Sequence, residues 1–417
     1  MRSFVRLSRE PRSIATACLL LALVATLTVV VGLSTASATP SKAGATPSKA
    51  GTSAEAITIT VLDAGGVLSF TKPLFEAFKA ASPGLVSEIK YEQAPSTEAV
   101  SKLRVQQAAG RVVTDIVVSG GDVVGAGIQQ NVWLKLFPNH QGRLSNAKNY
   151  TAQANGFLRL SEGFAGVVAT EYQGPLLNFD PARVKLPARV SPQGLLAWAK
   201  AHPRRFTYAR PPSSGPGRQF LMALPYILGD KNPRDPVKGW SRTWAYLKDL
   251  GQYTAPHPAS TSETLRGLAQ QNYDLVVSTV GWDLGMRAQG VHPLSYKVAP
   301  FETIRGKPAQ WTVAGHYIMV PRGVTGDRLA TVLKLINFML RPNQQVKMYA
   351  AQNKSQPGPA VKGVTLANAS PATRATIAKT ERPEYKALIQ NARTVSELDA
   401  ETLAVALDRW AREIGSR

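Results

Sequence analysis

Ile57-Thr58-Ile59-Thr60-Val61-Leu62, followed by Asp63-Ala64-Gly65-Gly66, is the stretch on which the fold turns. Six residues rich in β-branched side chains are the composition of a short strand, and the paired glycines break it. Just beyond, Phe70, Leu74, Phe75 and Phe78 recur at helix spacing as far as Ala81, and Pro83-Gly84 ends the run. Strand, glycine turn and helix make half of a βαβ unit.

The pattern repeats along the chain. Residues 99–109 predict a helix, Asp115-Ile116-Val117-Val118 a buried strand, Ser119-Gly120-Gly121-Asp122 a turn, and residues 125–131 a short helix. An extended segment runs over 166–177, then a proline-rich connection over 181–192. Helices are expected at 193–201, 218–228, 240–250, 262–271, 327–340 and 342–352, and strands at 204–208, 275–279 and 311–320. The tail over 372–417 reads as mostly helical. Strands alternating with helices imply an α/β fold with mainly parallel sheets, in which ligands sit at the carboxyl ends of the strands. Both glycine turns, Gly65-Gly66 and Gly120-Gly121, fall at such ends.

The 417 residues are too many for one simple core and suit two lobes. A hydrophobic fraction of 44% and a charged fraction of 18% fit a folded chain. The formal charge of +22 and the pI of about 10.2 raise the question of a nucleic-acid partner. The bases are scattered, however, and the N-terminus is that of an exported protein. The charge is better matched to weak attraction toward anionic envelope polymers or lipid headgroups. Basic residues from Arg2 to Arg12 lead into an apolar run over 15–33 and then Ala36-Ser37-Ala38. These are the three parts of a secretory signal peptide over 1–38, cut after Ala38. The apolar run is also long enough to remain as an uncut membrane anchor. Residues 39–56 contain the near-repeat Thr39-Pro40-Ser41-Lys42-Ala43-Gly44 and Thr46-Pro47-Ser48-Lys49-Ala50-Gly51, a flexible tether. Cys18 is the sole cysteine, so a cut chain has neither a disulfide nor a thiolate ligand.

These motifs in this order carry a family resemblance. The opening strand with Asp63-Ala64-Gly65-Gly66, and Asp115-Ile116-Val117-Val118-Ser119-Gly120-Gly121, resemble the first sheet elements of ABC-transporter extracellular solute-binding proteins. Tyr172-Gln173-Gly174-Pro175-Leu176-Leu177-Asn178-Phe179-Asp180 is similar to their crossover strand, which usually has a tyrosine, apolar residues and a tyrosine-asparagine turn; here Phe179 follows Asn178 instead. Trp198-Ala199-Lys200-Ala201-His202-Pro203 through Arg210-Pro211-Pro212 resembles an Arg-Pro-Pro subgroup of the polyamine-, iron- and thiamine-like group. Ile336-Asn337-Phe338-Met339-Leu340-Arg341-Pro342 resembles a late helix junction of the family. The resemblance spans about 57–351 and implies the periplasmic-binding-protein type II fold. That fold has two α/β lobes joined by crossing strands, with a small-molecule solute captured between them and separate permease and ATPase partners. The expected division is 57–165 with 312–345 for the first lobe and 166–311 with 346–417 for the second, in a monomer without cofactor, metal or nucleic acid.

Candidate ligand contacts follow from turn position. Gly65 and Gly66 let backbone N–H groups approach a ligand, and equally suit a plain strand–helix turn. Ser119, Gly120 and Asp122 form the matching turn, where Asp122 also suits a helix cap. Ser213, Ser214, Gly217 and Arg218 open a helix and favour an anionic group. Trp282 and Asp283 pair an aromatic wall with a counter-charge and favour a cation. Tyr172 on the crossing strand and His316 on its return are further cleft candidates. The sign of the ligand's charge thus stays open, and a solute carrying both signs satisfies both sets.

Other function classes lack their signatures. No Gly-x-Ser-x-Gly elbow, His-Glu-x-x-His pair or phosphate-cradling loop ending in Lys-Ser/Thr is present, and the five histidines are dispersed. An exported hydrolase is therefore disfavoured. The absence of a Tyr-Tyr pair sets ferric iron aside. An envelope-tethered interaction protein on the same fold is the remaining alternative.

Overall fold

The computed structural model describes residues 55–350 and 358–416. The expected signal peptide or anchor and most of the tether lie outside the described residues. Among those described, no helix is long and apolar enough to cross a membrane.

Two mixed sheets organise the chain. The first contains β1 (Ile57–Ala64), β2 (Val86–Gln93), β3 (Ile116–Ser119), β4 (Ala165–Gly174), β9 (Trp311–Met319), β10 (Gly358–Pro359) and β11 (Thr394–Ser396). The second contains β5 (Leu176–Phe179), β6 (Phe206–Thr207), β7 (Leu275–Ser278) and β8 (Lys297–Pro300). The spatial orders are β10-β4-β9-β3-β1-β2, with β11 also on β9, and β6-β7-β5-β8. Pairing is parallel at β2-β1-β3, β9–β11 and β6–β7. The strands that pass between lobes pair antiparallel, because a strand that leaves a sheet and its return run in opposite directions. The expectation of mainly parallel sheets thus holds for β2-β1-β3, β9–β11 and β6–β7, and not for the ladders of β4, β5 and β9 with β3, β7, β8, β10 and each other.

Burial explains which strands are apolar throughout. β1 and β3 are central, and Ile59, Val61, Leu62, Ile116, Val117 and Val118 are fully buried. β2 is an edge strand whose Val86 and Ile89 face inward while Ser87, Glu88 and Lys90 face solvent. The first sheet is covered by α1 (Leu68–Ala81), α2 (Ser96–Ala108), α3 (Gly121–Gln129), α4 (Ala152–Leu160), α10 (Gly326–Met339), α11 (Pro342–Gln345) and α12 (Lys347–Ala350). The second carries α5 (Pro192–Ala201), α6 (Gly215–Leu228), α7 (Ser241–Leu250), α8 (Thr261–Ala269) and α9 (Val280–Ala288). Arg328 on α10 donates to both carboxylate oxygens of buried Asp115 at 2.7 Å, which ties the returning segment to β3.

The tail divides differently from expectation. Met348, Ala360, Val361 and Val364 are buried in the first core, and β10 extends the β4 edge. An open sheet edge is the natural docking place for a returning strand. Only the last part, α13 (Pro371–Thr380), α14 (Pro383–Asn391) and α15 (Ala400–Glu413), reaches the second lobe. There Leu403, Ala406, Leu407 and Trp410 enter the second core.

α15 also touches the first lobe, against α3. A Cβ on Gly125 would stand 2.2 Å from the Ala400 carbonyl oxygen, so only glycine permits that approach. Gly156 on α4 has no such neighbour, its nearest being an Arg159 nitrogen at 3.9 Å. The same substitution therefore acts oppositely at the two sites. Gly125→Ala should lose about 1–3 kcal/mol through overpacking, whereas Gly156→Ala should gain up to about 0.5–1 kcal/mol of helix stability. Urea unfolding of both variants checks the pair of signs.

Candidate functional site

A cleft opens between the sheets, beyond the carboxyl ends of β1, β3, β6 and β7. Its inner part encloses about 230 Å³. The first lobe contributes Gly65, Gly66, Ser96, Gly120 and Asp122, with Gly315 and His316 from β9. The second contributes Ser213 to Gly215, Arg218 and Gln219 from the start of α6, Ser260 to Ser262 from the start of α8, and Trp282 from α9. An adjoining chamber of about 520 Å³ shares Gly65, Gly66, Trp282 and His316 and continues past Lys72, Tyr91 and Arg266.

Local sequence explains why so many helices begin here. Ser214 is the N-cap of α6 and accepts from the Gly217 N–H at 3.2 Å. Its hydroxyl also meets that of Thr261 at 2.8 Å, which joins the starts of α6 and α8. Ser260 caps α8 by accepting from the Glu263 N–H at 3.2 Å. Ser213 donates to the Ala259 carbonyl at 2.6 Å. Across the cleft, Ser96 at the first position of α2 donates to the Ala64 carbonyl at 2.6 Å, and α3 starts after Gly120 without a side-chain cap. Four helix N-termini with their partial positive charge therefore face one space.

The charges in the cleft are arranged unevenly. Arg218 crosses from the second lobe to pair with Asp122 of the first at 3.0 Å, both side chains only 7% exposed. Gly120 makes room for it, since a Cβ there would lie 2.6 Å from an Arg218 terminal nitrogen. Behind this pair lies Glu397 of the tail, which accepts from the Tyr317 hydroxyl at 3.1 Å and the Gly315 N–H at 3.4 Å. Burial pushes the Glu397 carboxyl up from its usual range, against the opposing pull of Arg218. Asp63 accepts from the Val67 and Leu68 N–H groups at 2.9 and 3.2 Å and so caps α1, with its carboxyl also raised by burial. Lys72 and Arg266, by contrast, are exposed cations that form no ion pair among the described residues.

The structure brings Gly65, Gly66, Gly120 and Asp122 together with Ser213, Ser214 and Arg218, and adds Trp282 and His316. His316 packs edge-on against Phe70 with ring centroids 4.9 Å apart. Three predicted contacts lie elsewhere. The Ser119 hydroxyl is buried and donates to the Ala64 carbonyl at 2.9 Å, stitching β3 to β1. Gly217 is buried inside the first turn of α6, where a Cβ would stand 2.1 Å from the Ala209 carbonyl oxygen. Asp283 follows Trp282 on α9, and successive helical residues point about 100° apart, so the two part company. Asp283 is fully buried and receives Arg382 Nε at 2.5 Å, the Tyr385 hydroxyl at 2.7 Å and Asn178 Nδ2 at 2.8 Å. It anchors the tail to the second lobe and offers no counter-charge to a ligand. Tyr172 lies on β4 opposite Val313.

Several cleft residues were not anticipated. Ser260-Thr261-Ser262-Glu263 carries a readable signal, because a serine three residues before glutamate marks a helix start. Gln219, Lys72, Arg266 and Glu397 carry none, since each takes its meaning from neighbours remote in sequence.

A two-lobed α/β molecule with a polar cleft between its sheets, fed by helix N-termini from both sides, is built to enclose a small solute. The chain matches bacterial extracellular solute-binding proteins over residues 73–380 and belongs to that family. Proteins of this family are extracellular solute binders. No curated protein matches. The structure resembles the periplasmic thiamin binding protein (16% identity, 89% of this chain and 99% of that one, TM-score 0.59). It also resembles the Actinobacillus pleuropneumoniae protein AfuA with fructose-6-phosphate bound (11%, 86% and 98%, 0.60). A third similar structure is the apo ferric ion-binding protein A of Pasteurella haemolytica (13%, 86% and 97%, 0.58). The family match does not favour the alternative of an interaction protein.

The Asp283 cluster yields a stability prediction. Arg382→Met strands a buried carboxylate and should cost about 3–5 kcal/mol. Adding Asp283→Asn to that variant removes the stranded charge and should recover a large part of the loss. Denaturant unfolding of the single and double variants measures both.

Proposed function

We propose that the chain captures a small polar solute bearing an anionic group in the interlobe cleft and delivers it to the permease and ATPase of an ABC importer. The observation that carries this reading is the convergence of the starts of α2, α3, α6 and α8 on one space. Backbone N–H groups at such ends, with the hydroxyls of Ser260, Ser262 and one of the Ser214–Thr261 pair still able to donate, form donor-rich surroundings for a carboxylate or phosphate. The aspartates that border the cleft are already engaged, Asp122 by Arg218 and Asp63 by the start of α1, and Glu397 beneath them is buried against the Tyr317 hydroxyl. The charge without a carboxylate partner among the described residues, from Arg266 and from Lys72 over the Tyr91 ring at 4.8 Å, is positive and sits in the outer chamber, where it would steer an approaching anion. Trp282 supplies a flat apolar face for the rest of the solute. The location that goes with this role is outside the cytoplasmic membrane.

Two measurements test the proposal. Native mass spectrometry of protein purified gently from its own host should release a stoichiometric small anion on denaturation; a bound polyamine or metal ion would overturn the anionic reading. With that solute in hand, Lys72→Glu combined with Arg266→Glu should slow capture by about tenfold at low ionic strength, and the deficit should shrink in high salt. Stopped-flow fluorescence of Trp282 reads the rate directly.

A further inference from the structure

One wall of the cleft holds a polar side chain that the protein leaves without a partner. Gln219, the residue after Arg218 on α6, is fully buried and lines the inner chamber. Among the described residues neither its Oε1 nor its Nε2 meets a hydrogen-bonding group, and Arg218 Nε beside it is in the same state. The other polar groups of that wall are engaged: Ser213 with Ala259, Ser214 with Thr261 and Gly217, and the far end of Arg218 with Asp122. A buried amide left unsatisfied costs about 1–3 kcal/mol per group. Native proteins rarely keep one unless something else completes it. Its flanking residues on α6, Phe220, Leu221 and Met222, are buried apolar side chains, so a methionine or leucine would suit the packing better. The amide is there for a purpose other than stability.

The chemistry of an amide limits what completes it. Nε2 donates and Oε1 accepts. A carboxylate or phosphate only accepts and would leave Oε1 orphaned; an ammonium only donates and would leave Nε2 orphaned. A group that donates and accepts at once satisfies both atoms, and hydroxyls and carboxamides are the common ones. We propose that Gln219 is a specificity subsite for such a neutral group. The solute is then an organic anion that also carries a hydroxyl or a carboxamide, with its charged end at the helix starts and its neutral group on Gln219. The inference rests on the anionic reading of the cleft and narrows it.

The test uses the full chain, the variants Gln219→Met and Gln219→Leu, and matched probe pairs. Gluconate is compared with hexanoate, glycerol 3-phosphate with propyl phosphate, and succinamate with butyrate. Calorimetry on the wild type should show the hydroxylated or amidated member of at least one pair binding about tenfold tighter. The succinamate pair separates the carboxamide from the hydroxyl. In Gln219→Met that preference should collapse while the unsubstituted member binds as before. The ligand-free variants should melt at or above the wild-type temperature, since an unsatisfied amide has been removed. A fall of several degrees in both variants would make Gln219 a structural residue and overturn the inference. Equal binding of both members of every pair would overturn it too, while leaving the anionic reading intact. Failure of every anion to bind would bring down both.

Discussion

The β4–β9 ladder is the constraint on which the rest of the molecule depends. It runs from Ala165 opposite Met319 to Gly174 opposite Thr312. Two residues later the chain enters the second sheet at Leu176, and β9 itself arrives from β8 of that sheet. The two strands therefore belong to the first lobe while forming the root of the second. Their register decides what lines the cleft floor. His316 and Gly315 reach it, whereas Tyr317 is buried and turned to Glu397. A slip of one residue would turn the Tyr317 side of the strand toward the cleft in place of His316. The cleft is thus set by strand pairing before any ligand-facing side chain is considered.

Around that floor, the placement of partners matters more than the number of charges. The chain carries a formal charge of +22, yet a distant surface charge is screened within about 8–10 Å at physiological salt. The cleft acquires its character because Asp122 and Asp63 beside it have been given a cation or a row of N–H groups, and buried Glu397 is held by the Tyr317 hydroxyl and the Gly315 N–H. Asp122 answers Arg218, Asp63 answers the start of α1, and Asp283 answers an arginine from the tail. Helix N-termini then remain as the uncancelled field at short range, where screening by salt is weakest.

How much of this was legible follows from how local each signal is. β1, α1 and β3 were readable because a central strand is apolar on both faces and a covering helix repeats its apolar residues at 3.6 spacing. β2 escaped because Val86-Ser87-Glu88-Ile89-Lys90-Tyr91 mixes inward apolar and outward charged residues at an exposed edge. α9 escaped because Gly281 and Gly285 lower its helix propensity, and it is held by packing instead. The glycine turns and the Ser213-Ser214 loop landed in the cleft because strand ends and helix starts are where such folds gather ligands. Asp283 misled because its partner, Arg382, is 99 residues away and nothing in the local sequence announces it. Gln219 was silent for the converse reason: a glutamine inside an apolar helix looks ordinary until its missing partners are seen.

The tail adds a third connection between the lobes, and its construction bears on how the cleft can move. Glu397 sits in the floor beneath the Arg218–Asp122 pair, and β11 just before it is hydrogen-bonded to β9. Ala400 then presses on Gly125 of α3, while the body of α15 is sunk in the second core through Leu403, Leu407 and Trp410. A segment rooted in both lobes forbids free sliding of one over the other. Rotation remains possible where the three connections pass close together, near Pro175, the start of β9 and residues 397–400. Hinges of this kind absorb closure in a few terminal residues of strands and helices while the cores stay packed. Because Arg218 reaches across from one lobe to the other, any solute that draws on its guanidinium must compete with Asp122.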